Sequence, residues 1–196
     1  SILATLYAAE HPQKIERMIL MCPGPIVPFN YKLTKIKAPD SLDLKSLSHT
    51  NQQANQKIKN WRSITTSYFA RNFLKKIATD EEADAFQTHL NFELQKSTVV
   101  DTSKLLPLTS GGGYYVQQMT MLSLDHIKGP RQAISEFPFP TLIIKGQYDN
   151  QAWGFTNEYI ELFPNAQFEL IKNAGHATYL DQPKVTLEVM EHFLNQ

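Results

Sequence analysis

Hydrophobic and polar positions fall into stretches of different period along the chain. Ile2, Leu3, Leu6 and Ala9 recur at helical spacing, and Pro12 stops that pattern at about His11. Residues 15–21 form a short apolar run closed by Cys-Pro-Gly-Pro, the pattern of a buried strand entering a turn. From 26 to 49 Pro, Lys and Ser are scattered without a period, which predicts loop with at most short helices. Over 51–78, Ile58, Trp61, Ile64, Tyr68, Phe69, Phe73 and Ile77 follow one another at helical intervals, predicting a long helical stretch with a break near Ser67. Thr79 with Glu82 three residues on is a capping sequence for a second helix to about Lys96. Ser110-Gly111-Gly112-Gly113 reads as a flexible joint, 115–126 as a helix with a Met-rich face, and 130–137 as a short helix.

The period changes again after 138. Residues 141–145 read as a strand running into Gly146, 155–163 as an amphipathic helix ended by Pro164-Asn165, and 167–171 as another strand. A last helix over 183–194 carries Val185, Val189 and Phe193 at intervals of four. Helix and strand alternate at the two ends of the chain, which predicts an α/β fold with a parallel sheet. The helical middle reads as an insertion: residues 1–24 and 139–196 form the core, and 25–138 a helical cap. Three strands are fewer than such a sheet normally carries. The first helix also begins with no cap, preceding Met or approach, so either the chain is cut from a longer one or the domain starts in a helix.

Composition narrows the classes. Hydrophobic residues are 42% and charged residues 19% of 196, the balance of a globular chain. Lys plus Arg equals Asp plus Glu at 19 each, without the positive excess a nucleic-acid binder needs. The one cysteine, Cys22, excludes an internal disulfide framework and a Cys-rich zinc site. No apolar run approaches the roughly 18 residues of a membrane span, and a reduced, cytoplasmic compartment is the expectation. Charge within the insertion is uneven. From 32 to 76 there are ten Lys or Arg against two acids, and from 77 to 101 six acids against one Lys. That is either a dipolar cap that attracts a charged substrate or a set of helix faces that neutralise each other.

Candidate chemistry follows two strands. Gly146-Gln147-Tyr148-Asp149 comes directly after 141–145, and Asn173-Ala174-Gly175-His176 directly after 167–171. Loops at the carboxyl ends of parallel strands are where such folds hold their sites. A carboxylate there can accept an imidazole N–H and fix its tautomer, and a histidine is a suitable general base near neutral pH. Gly175 permits an unusual backbone angle that would turn His176 inward. Each motif alone is also an ordinary turn or surface histidine. The acid after one strand and the histidine after the next, 27 residues on, make the pair specific. His11, His49, His89, His126 and His192 lack that setting.

On these residues the chain resembles the C-terminal two-thirds of an α/β-hydrolase. Leu3-Ala4, Tyr7-Ala8 and His11-Pro12 resemble the helix after the nucleophile elbow in the proline iminopeptidase-like branch. Gly146-x-x-Asp149 matches the acid loop, Gly175-His176 the histidine loop, and Asp181-x-Pro183 the entry to the last helix. The resemblance implies an inserted helical cap and a serine hydrolase acting on an ester, amide or N-terminal peptide bond, with Asp149 and His176 as its catalytic acid and base. It also implies that the elbow serine, about three residues upstream of Ser1, is missing, together with the oxyanion donors. Ser1 is a poor substitute, since it has no strand-held turn. The alternative is a truncated or hydrolase-like binding subunit without activity. The expected partners are a small-molecule or peptide substrate, with self-association or pairing with a missing N-terminal segment. Neither nucleic acid nor membrane is expected, and no cofactor or metal is implied. Trp61, Tyr68, Phe69, Tyr114 and Tyr115 either line an acyl or prolyl pocket or form the core of the cap.

Overall fold

The computed structural model describes residues 1–108, 112–124 and 126–196. Along the chain, α1 (Ile2–Glu10) precedes β1 (Met18–Met21). Then come α2 (Asn51–Ile58), α3 (Trp61–Phe73), α4 (Asp80–Gln95), α5 (Tyr114–Leu124) and α6 (Arg131–Ser135). The rest is β2 (Thr141–Gly146), α7 (Trp153–Leu162), β3 (Ala166–Ile171), α8 (Thr178–Asp181) and α9 (Pro183–Leu194). The chain forms two compact units. One comprises Ser1–Leu47, Thr98–Lys104 and Lys128–Gln196, and the other Ser48–Ser97 and Leu105–Ile127. Part of the expected joint, Ser110 and Gly111, lies outside the described residues, as does the side chain of Ile58 in the expected stripe.

The first unit holds the sheet. Its strands run parallel in the order β1-β2-β3, with Met18 opposite Thr141 and Gly146 opposite Ile171. Every residue of β2 is buried, as a strand covered on both faces requires. Alternation divides its side chains between two cores. Ile143 packs with Met18, Leu20, Ile134, Tyr159 and Phe163 on the face of α1, α6 and α7. Leu142 and Ile144 pack with Ile171, Ala174 and Phe193 on the face of α9. In α1 the buried positions are Thr5 and Ala8, and Leu3 of the expected face is exposed.

The second unit is helical and departs from the sequence reading in two ways. The long stretch breaks at Lys59–Asn60, not near Ser67. Asn60 is extended and its side chain accepts from Ser63 N at 2.8 Å, so a polar capping box starts α3 afresh. The aromatic stripe of α3 also points away from the core. Trp61, Tyr68 and Phe73 are exposed, whereas Thr66 and Ala70 are buried. Small side chains four apart let the helix backbone approach its neighbours, which bulky rings on that face would prevent. Of the aromatic candidates, Tyr114 is buried, and its amide donates to Asp84 Oδ1 at 2.7 Å. Thr79 caps α4 as expected, accepting from Glu82 N at 3.2 Å, but the Glu82 carboxylate bonds Arg62 at 2.7 Å instead of closing the box. Further pairs join Lys76 to Asp80 and Lys57 to Glu93, so at three places a base of the basic stretch meets an acid of the acidic one, and Lys96 pairs with Glu93 within the latter. Among the described residues no helix is long and apolar enough to cross a membrane.

Candidate active site

The register that sets Gly146 opposite Ile171 brings the exits of β2 and β3 side by side. Backbone bonds then stitch the two loops together. Gln147 N donates to Ile171 O at 2.9 Å and Tyr148 N to Ala174 O at 2.8 Å. The Gln147 side chain accepts from Asn173 N at 3.1 Å. This contact admits no side chain at Gly146, where a Cβ would stand 2.0 Å from Gly175 O. Gly175 is needed for a reason other than the expected one. The left-handed residue of the histidine loop is Asn173, at φ 54°, and Gly175 instead lies against another backbone, where its Cβ would meet Thr98 O at 2.5 Å.

Asp149 and His176 meet at this edge. His176 Nδ1 lies 2.8 Å from Asp149 Oδ1, which also accepts Gln151 N at 3.1 Å. Asp149 Oδ2 accepts from Lys145 Nζ at 2.7 Å. The Asp149 side chain is fully buried, and burial pushes its carboxyl up. The His176 hydrogen bond and the Lys145 charge more than offset this and hold it below the ordinary value of 3.8. Asp149 is therefore a carboxylate, which can only accept, so Nδ1 carries the proton of this bond and Nε2 lies on the free edge of the ring. The His176 side chain is 34% exposed, enough for its free edge to be reached.

Three further residues shape the site and escaped the sequence reading. Lys145, read in sequence only as the last residue of a strand, has a side chain that is 1% exposed. Asp181, noted only at the entry to the last helix, is buried and accepts from Gly175 N at 2.8 Å and Val100 N at 2.9 Å, so it anchors the histidine loop. Cys22 follows β1 at φ 45°, its amide held by Ile144 O at 2.7 Å. Its thiol sits against Asp149, and burial followed by that negative charge pushes it up to about 12. Ligand atoms of Cys22, Asp149 and His176 lie within 4.8 Å of one another. There His176 and Lys145 both bond the Asp149 carboxylate.

Comparison with known proteins bears on the fold. A family model described as the alpha/beta hydrolase fold matches residues 1–183. Bromoperoxidase from Bacillus anthracis superposes with a TM-score of 0.51 at 16% identity, over 98% of this chain and 63% of that one. An alpha/beta hydrolase fold protein from Chitinophaga pinensis gives a TM-score of 0.52 at 15% identity, over 100% of this chain and 62% of that one. A Bacillus subtilis (strain 168) protein, provisionally named 2-succinyl-6-hydroxy-2,4-cyclohexadiene-1-carboxylate synthase, is 26% identical over 61 residues. That match covers 31% of this chain and 22% of the relative. The chain thus spans a little under two thirds of the solved structures it matches.

Proposed function

Because the chain belongs to the alpha/beta hydrolase fold family, we propose that it supplies the acid and the base of a serine hydrolase. The observation that carries this reading is the 2.8 Å bond from His176 Nδ1 to an ionised, buried Asp149 at adjacent strand ends. In this reading His176 Nε2 takes the proton of a serine hydroxyl as its oxygen attacks a carbonyl carbon. The imidazolium then gives that proton to the departing alcohol or amine as the bond to the carbonyl breaks. Water releases the acyl group by the same relay in reverse, and Asp149 stays ionised throughout. The nucleophile is assigned to sequence beyond these 196 residues. Support comes from the fold's order of nucleophile, acid and histidine, and from the share of the solved structures that the chain spans. The substrate class is an ester, an amide or an N-terminal peptide bond. Residues 25–138 are proposed as the cap that selects it.

The test uses the protein expressed from its own reading frame, with p-nitrophenyl esters and a proline arylamide as substrates. A fluorophosphonate probe is expected to label a single serine, and His176→Ala to lower kcat/KM by about 10³-fold or more. Absence of labelling, or hydrolysis indifferent to His176→Ala, would overturn the proposal in favour of a binding subunit.

A further inference from the structure

Lys145 lies in β2, where every residue is buried. A lysine in a strand covered on both faces carries a desolvation cost that an apolar residue would avoid. One place compensates for it. Nζ lies 2.7 Å from Asp149 Oδ2 and 3.0 Å from the Gln151 carbonyl oxygen. The Gln151 amide closes the ring from the other side, donating to Asp149 Oδ1 at 3.1 Å. The carboxylate is therefore gripped at both oxygens before His176 is counted. A neutral side chain at 145 would fill the space without setting the direction of the acid.

We infer that Lys145 is a positioning residue of the site: by holding Oδ2 of Asp149 it aims Oδ1 at Nδ1 of His176. The catalytic consequence rests on the hydrolase reading, whereas the positioning itself does not. The terminal torsion of an aspartate is broad, so a carboxylate with one oxygen released samples orientations in which Oδ1 no longer meets the imidazole. The imidazole then loses both its fixed tautomer and its ring orientation.

Two variants and one measurement on the unsubstituted protein decide this. Lys145→Met keeps the volume and removes the ammonium. It is expected to lower kcat by about 10- to 100-fold with KM within about twofold, since misdirection of a base acts on the chemical step. A downfield imidazole N–H proton resonance of His176 is expected in the unsubstituted protein and is expected to disappear with it. A folded Lys145→Met variant that keeps that resonance and its kcat overturns the inference, because packing alone would then account for the residue. Where the methionine variant does not fold, Lys145→Gln retains length and polarity without charge and faces the same two readouts. In the unsubstituted protein, ¹⁵N-lysine labelling is expected to reveal one slowly exchanging ammonium, and its absence also overturns the inference. The proton resonance and the ammonium signal need no turnover. A protein without hydrolase activity would therefore sink the functional reading and leave the test of Lys145 intact.

Discussion

At the scale of single residues the site is an ion cage around one carboxylate. Asp149 accepts from His176, Lys145 and the Gln151 amide, and the first two keep it ionised despite full burial. Asp149→Asn keeps the shape but replaces one acceptor oxygen by a donor, which opposes the Nδ1–H tautomer. A fall of about 10³- to 10⁴-fold in kcat is expected from steady-state kinetics, with His176 still in place. The same carboxyl links stability to pH. Its value is lower in the fold than the 3.8 of an unfolded chain, so its contribution is complete above about pH 4. That contribution is lost as pH falls through the folded value. Urea denaturation at stepped pH is expected to show Asp149→Asn with a shallower loss of stability below pH 4. Asp149 and His176 were legible in sequence because each follows a strand and strand ends gather function. Lys145 was not, because a lysine before a glycine at a strand end looks solvated, and its burial exists only once Asp149 folds back over it. The role of Gly175 was misread for a related reason. Sequence shows that a side chain is missing, not whether torsion or a neighbouring backbone requires it.

At the scale of elements, the loops after β2 and β3 are held at backbone contact, and glycine is what permits it. Gly146→Ala would place a methyl group 2.0 Å from Gly175 O and 2.6 Å from Ala174 O. Backbone on both sides cannot yield, so a loss of about 3 kcal/mol in urea unfolding is expected. Gly24→Ala is the matched control, since its new methyl meets Gln151 Oε1 at an ordinary 3.8 Å, and it is expected to stay within about 0.5 kcal/mol. In the helical unit the start of α3 rests on the Asn60 cap, and Asn60→Ala is expected to cost about 1 kcal/mol by the same measurement. The α/β ends were readable because buried parallel strands are short apolar runs bounded by turns. The middle was read less well. Apolar periodicity found the helices, but the burial of Thr66 and Ala70 beneath an exposed Trp61 reverses which face the pattern favours. Helices that approach closely bury small residues, and hydrophobicity carries no signal for closeness.

At the scale of the whole molecule, the chain passes between its two units four times, and residues Thr98–Lys104 belong to the sheet unit although helical segments flank them on both sides in sequence. Asp181 explains why that short return is held. Its carboxylate accepts Val100 N at 2.9 Å and Asp101 N at 3.4 Å, and its carbonyl oxygen accepts from Lys104 Nζ at 2.8 Å. Ala177 N adds a bond to Thr98 O at 2.8 Å. The same carboxylate holds Gly175 N, directly before His176. One buried side chain therefore ties the chain's return to the sheet unit and the loop that presents the base. Asp181→Ala leaves the Gly175 and Val100 amides without their acceptor, and a loss of about 3 kcal/mol is expected. The distribution of that loss is the sharper measurement. Hydrogen exchange is expected to accelerate together at Gly175, Val100 and Asp101, while amides within α4 keep their protection because none of their bonds passes through Asp181. Acceleration confined to Gly175 would mean that the return segment is held by other contacts. Equal acceleration throughout α4 would mean that the two units open as one.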